Sequence, residues 1–177
     1  MAKKIAHECS AATRTEFHAT HDHPYHFLDC GLPNVHLVGI RYLECQCGDK
    51  TVEIPAIKQL MALIARHIVM KRDALTGAEI RFLRKRLGQK AIDFSLRIKL
   101  QTSTLSRVEN GKQSISEKAD VYIRIYYAFA AKDPVLLDAL KNALDRVLAI
   151  RHKTKSTKPQ KTIARIEQNQ WALEAAA

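Results

Sequence analysis

Residues 104–112 read Thr104, Leu105, Ser106, Arg107, Val108, Glu109, Asn110, Gly111 and Lys112, the most chemically specific run in the chain. Small hydroxyl side chains and one arginine on a short helix can enter the major groove of duplex DNA and bond base edges. Leu105 and Val108, three residues apart, give such a helix an apolar stripe with which to anchor itself. At its exit Gly111 can take a positive φ without a steric cost, and Lys112 with nearby backbone amides can grip phosphate. The chemistry this spacing offers is hydrogen bonding to DNA, and it requires other elements to hold the helix in place.

Those elements are legible nearby. A helix over about 90–98 buries Phe94 and puts the small Ser95 at its fifth position, where two helices would cross; Leu100 plugs the turn before a helix over about 102–109. Upstream, Thr76, Gly77, Ala78 and Glu79 form a capping box that starts a helix lined by Ile80, Leu83 and Leu87 and stopped by Gly88. Downstream, Ser116 caps a helix whose Val121, Tyr122, Ile123, Ile125, Tyr126 and Phe129 are apolar on more than one side. Such a helix is buried on both faces, the second either in the core or against a second copy of the chain.

The flanks differ in character. Residues 1–55 hold six of the eight histidines, His7, His18, His21, His23, His26 and His36. There residues 36–43 alternate as a strand, 45–49 turn, and 51–54 return, which predicts a hairpin. Pro55 then opens a connecting helix with Ile57, Leu60, Met61, Ile64 and Ile68 on one face. Beyond Asp133 and Pro134, Leu136, Leu137, Leu140, Leu144, Val147 and Leu148 recur at helical spacing. Residues 151–161 form a basic linker without an acid, ahead of a short expected helix containing Trp171.

Charge follows the same division. The net charge is +11 and the isoelectric point near 9.7, which suits a polyanionic partner. Residues 1–50 carry five basic groups against six acids, whereas 71–112 carry eleven against four, or +7. That excess is what counterion release on a duplex needs, although a solvated basic face would give the same totals. No apolar run is long enough to span a bilayer, no secretory signal follows Lys3 and Lys4, and the four irregularly spaced cysteines suggest no disulfide framework. A cytoplasmic setting is expected, and no nucleophile–base pair or phosphate-cradling glycine loop points to an enzyme.

Through residues 106–112 the chain resembles the phage repressor and Cro family of DNA-binding domains. Alignment on that run places Gln101, Thr102, Ser103, Ser106 and Arg107 where the family contacts DNA. Thr102 and Ser103 would face base edges, and Arg107 would bond a guanine bidentately, contact phosphate, or pair near Glu109. Gln101 would touch phosphate or cap the helix, Asn110 would position backbone, and Lys112 would contact phosphate. Lys99 stands where that family usually has Gly in the turn, and Val108 where Trp is common.

Residues 75–85 and 30–40, followed by a Cys pair, Gly48, Ile54 and Pro55, are similar to MqsA-like (YgiT-type zinc-finger) antitoxin regulators. The resemblance implies an N-terminal zinc ribbon, a C-terminal helix-turn-helix, and a homodimer that represses on a palindromic operator, often its own. It equally implies an antitoxin whose N-terminal part neutralises a toxin partner. The family's two Cys-x-x-Cys knuckles are missing: Cys45-x-Cys47 is one residue short. Either Cys30, Cys45 and Cys47, with Cys9 or a histidine from 18–26, hold zinc, or the ribbon is degenerate and held by packing. The expected fold is mainly α, a Cro-type helix-turn-helix bundle with a small N-terminal β-hairpin domain. Its parts would be 1–55 (zinc-ribbon-like), 56–74 (connecting helix), 75–131 (helix-turn-helix) and 132–177 (C-terminal helices with a basic linker).

Overall fold

The computed structural model of the chain describes residues 14–45, 48–142, 161–167 and 170–173. Five strands come first: β1 (Arg14–His18), β2 (Tyr25–His26), β3 (Val35–Val38), β4 (Arg41–Cys45) and β5 (Lys50–Val52). Six helices follow: α1 (Ile57–Met70), α2 (Gly77–Arg86), α3 (Ala91–Arg97), α4 (Thr102–Glu109), α5 (Glu117–Ala131) and α6 (Pro134–Asn142). The chain then returns as β6 (Thr162–Glu167) and β7 (Gln170–Leu173). Among the described residues no helix is long and apolar enough to cross a membrane.

The expectation of a mainly α fold is therefore corrected to mixed α/β, with sheets ordered β1-β4-β5 and β2-β3-β6-β7. Two local signals explain the difference. The stretch read as one strand over 36–43 is two, separated by Gly39 at φ +82°. A Cβ at Gly39 would lie 2.9 Å from the Ile166 carbonyl oxygen, so the chain turns there against β6 and passes from one sheet to the other. A hairpin does form, but between β4 and β5, with Tyr42 opposite Val52.

The second correction concerns Trp171, which lies in β7 and not in a helix. Strand β6 runs parallel to β3, Val35 opposite Thr162, and antiparallel to β7, Ile166 opposite Trp171. Tyr25, Val35, Leu37, Ala164 and Trp171 are buried on the inner face of this sheet, where β7 contacts α1. Trp171 Nε1 donates to the Pro55 carbonyl at 2.8 Å. Pairing onto β3 and burial of one large indole outweigh the helical preference of the alanines around it. The helical segment from α1 to α6 thus lies between two parallel neighbours of one sheet.

Helix α1 packs Leu60, Ile64, Ala65, Ile68 and Val69 inward, while Ile57, expected on that face, is exposed. Arg66 binds Asp133 at 2.8 Å, and Asp133 in turn accepts from the Val135 and Leu136 amides as the N-cap of α6. Arg124, which sequence reading did not single out, is fully buried in α5. It pairs with Asp120 and donates to the carbonyls of Ile68, Val69, Lys71 and Asp73, tying off the C-terminal end of α1. The signal for it was Asp120 and Arg124 one turn apart in an otherwise apolar helix. The positions Leu144, Val147 and Leu148 lie outside the described residues, as do 151–160 of the basic linker.

Candidate nucleic-acid interface

Helices α2 to α5 build the site. Thr76 caps α2 through both bonds of the expected box: the Glu79 amide donates to Thr76 Oγ1, and the Thr76 amide to Glu79 Oε2. Phe94, Ile98, Leu105, Val108 and Ile115 are buried with Ile80, Leu83 and Ile123 in the common core, and Leu100 is half-buried beside them. Full burial of each large side chain contributes about 1.5–3 kcal/mol, so this core positions the short helices more firmly than their own propensity could.

Helices α2, α3 and α4 end alike. After each, one residue is left-handed: Gly88 at φ +66°, Lys99 at +54° and Gly111 at +70°. In each case the next amide reaches back five residues: Gln89 to the Arg84 carbonyl, Leu100 to Ser95, and Lys112 to Arg107. Lys99 therefore adopts a conformation that strains any residue with a Cβ, at the position where a glycine was expected by resemblance.

The two central helices touch closely. Ser95 is buried at their crossing; its hydroxyl lies 2.8 Å from the Ile92 carbonyl and 2.7 Å from Thr102 Oγ1. Helix α2 backs onto the end of α4: a Cβ on Gly77 would come within 1.9 Å of the Val108 carbonyl oxygen. From α2, Arg84 donates to both Glu109 carboxylate oxygens at 2.7 and 2.8 Å. Arg81 donates to the Glu109 carbonyl and to Asn110 Oδ1 at 2.8 and 2.7 Å. Hydrogen bonding to Glu109 raises the Arg84 pKa, so that arginine stays charged. These bonds fix the pitch of α4, and neither Arg81 nor Arg84 stood out in the sequence.

Gln101, Thr102, Ser103, Ser106, Arg107, Asn110 and Lys112 are all exposed and lie on or beside one face of α4. They do not stand equal. Thr102 is bonded to Ser95, and Asn110 bridges Arg81 and the Ser106 carbonyl. Among the described residues no side-chain hydrogen bond or ion pair engages Gln101, Ser103, Arg107 or Lys112, and Glu109 is taken by α2, so Arg107 does not pair with it. Free donors on an exposed helical face can form bidentate bonds to purine edges and charge-assisted bonds to phosphate.

The two described cysteines, Cys30 and Cys45, lie in different parts of the fold. Cys30 is the last residue of a short 3₁₀ turn before β3, donates to the Phe27 carbonyl at 3.0 Å, and has its thiol pKa raised by burial. Cys45 is buried at the end of β4, in the other sheet. Among the described residues no three His, Cys, Asp or Glu side chains come together to hold a metal; Cys9 and Cys47 lie outside those residues. Compared with protein-family models, with curated proteins and with solved structures, the chain matches none of them.

Proposed function

We propose that this chain is a cytoplasmic, sequence-specific DNA-binding repressor, not an enzyme, which acts as a dimer on a palindromic operator, including its own. The observation that carries this reading is the exposed row Ser103, Ser106 and Arg107 on a helix whose opposite face is buried and whose end is clamped by Arg81 and Arg84. Helix α4 would enter the major groove, with Arg107 bidentate to a guanine, Ser103 and Ser106 on neighbouring edges, and Gln101 and Lys112 on phosphates. Zinc enters no step of this mechanism.

Helix α5 supports the dimer. Between Val121 and Ala131 its only charged residue, Arg124, is buried, while Tyr122 and Phe129 are 44% and 62% exposed. Aromatic, charge-free surface is the composition of an interface core. A dimer on a two-fold operator needs its two copies of α4 about 34 Å apart, one helical turn of DNA.

The experiment is selection of operator sequences from a random duplex pool, followed by binding of the selected site by Arg107→Ala. A loss of about 1–3 kcal/mol with relaxed preference at one base pair supports the reading. Failure to enrich any sequence would sink it.

A further inference from the structure

The outer face of the β2-β3-β6-β7 sheet carries an arrangement that the helix-turn-helix does not use. His26 and His36 are cross-strand partners, and their rings stack at 4.5 Å with 1° between planes. His36 stands opposite Ile163, which puts Lys161 and Arg165 on the same side, one strand over. His26, Lys161 and Arg165 are exposed and His36 is half-buried. The one acid on this face of the paired strands is Glu167, an ion-pair partner of Arg165; Gln170 and Ala172 of β7 add no charge. Lys161 also closes the acid-free basic run 151–161.

We propose that this face is a second nucleic-acid contact, which holds phosphodiester groups independently of sequence and more tightly as the two histidines take up protons. Lys161 and Arg165 supply fixed charge. His26 Nε2 donates to the Pro33 carbonyl, 2.8 Å away, which leaves Nδ1 as the open nitrogen of the ring. Burial, the neighbouring His26 and Lys161 lower the His36 pKa, so the empty face resists a second proton. A phosphate placed there relieves that repulsion and favours the protonated form of His36 beside it, and by linkage protonation tightens binding. The identity of the polyanion rests on the proposed DNA-binding function; the cationic character of the face does not. An acidic protein segment is the competing occupant; DNA is preferred because the exposed donors of α4 already direct the chain to a duplex.

The test uses the full chain, a labelled duplex of scrambled sequence, and affinities between about pH 8 and about pH 5.5. Wild type should bind about tenfold tighter at the acid end, and His26→Gln with His36→Gln should lose most of that gain without weakening binding at the alkaline end. Lys161→Ala with Arg165→Ala should lower the salt slope by about two units. An unchanged pH response in the histidine variant overturns the proposal. Because that variant could fold poorly, the imidazole pKa values of His26 and His36 are also followed by NMR in wild type. A rise on adding the duplex supports the proposal, and no rise overturns it. If polyglutamate raises them and the duplex does not, the occupant is an acidic protein and the proposal falls. Operator preference through Arg107 is read separately: a chain without it that keeps this pH response refutes the helix reading alone.

Discussion

Ser95 and Thr102 meet hydroxyl to hydroxyl at 2.7 Å across the crossing of α3 and α4. The resemblance to the phage repressor and Cro family implies a base-reading role for Thr102, and its Oγ1 also bonds inside the protein. Through this bond Thr102 also sets the first turn of α4. Ser95→Ala should lower stability by about 1 kcal/mol and weaken all operators about equally, because it loosens α4 without removing a base contact. Melting temperature together with a base-substituted operator panel checks this. A selective loss at one base pair would show that Thr102 reads after all.

Lys99 at φ +54° does the work of a glycine in the turn. Lys99→Gly should stabilise the fold by roughly 0.5–1 kcal/mol, the relief of left-handed strain less the added unfolded-state entropy. Urea unfolding measures it. A destabilised variant would mean that the lysine side chain makes a contact worth more than the strain.

Gly77 begins α2 with room for no side chain. Alanine would gain at most about 1 kcal/mol in helix propensity, but its Cβ would meet the Val108 carbonyl at 1.9 Å, and backbone cannot swing aside as a side-chain tip can. Gly77→Ala should therefore cost about 3 kcal/mol, at the upper end for overpacking. Thermal unfolding would show it, and an unchanged melting temperature would refute the close approach of α2 and α4.

Trp171 is the only tryptophan and is 6% exposed. Its emission should be blue-shifted in the native chain, and removing residues 161–177 should strip β6 and β7 from β3 and unfold the N-terminal sheets. Circular dichroism and proteolysis of the truncated chain check this. The same dependence governs any test of the antitoxin reading. A fragment of residues 1–70 lacks two strands of its own sheet, so its failure to rescue would not speak against toxin binding; point changes on the exposed strand β1 are the sound alternative.

Much of the helical site was legible because its determinants are local. Capping at Thr76 and Ser116, the small residue at Ser95, the plug at Leu100 and the left-handed exit at Gly111 act within a turn or two of the chain. The bounds of α4, Thr102 to Glu109, followed from them. The clamp on α4 was not legible, since Arg81 and Arg84 reach Glu109 across 28 and 25 residues and look like any surface arginines in a basic helix.

By itself the sequence determined that a short helix with an open polar face would be held at both ends by turns, because propensity, capping and three-residue spacing need no distant partner. Tertiary structure alone decided that the chain is mixed α/β. Strands β3 and β6 become neighbours more than a hundred residues apart, and the hydrogen bonds that make them strands exist only once they meet. It also decided which of the candidate readers are free. A hydroxyl or amide in a sequence is a donor in waiting, and only the packed structure shows that Thr102 and Asn110 are already bound while Ser103 and Arg107 still face outward.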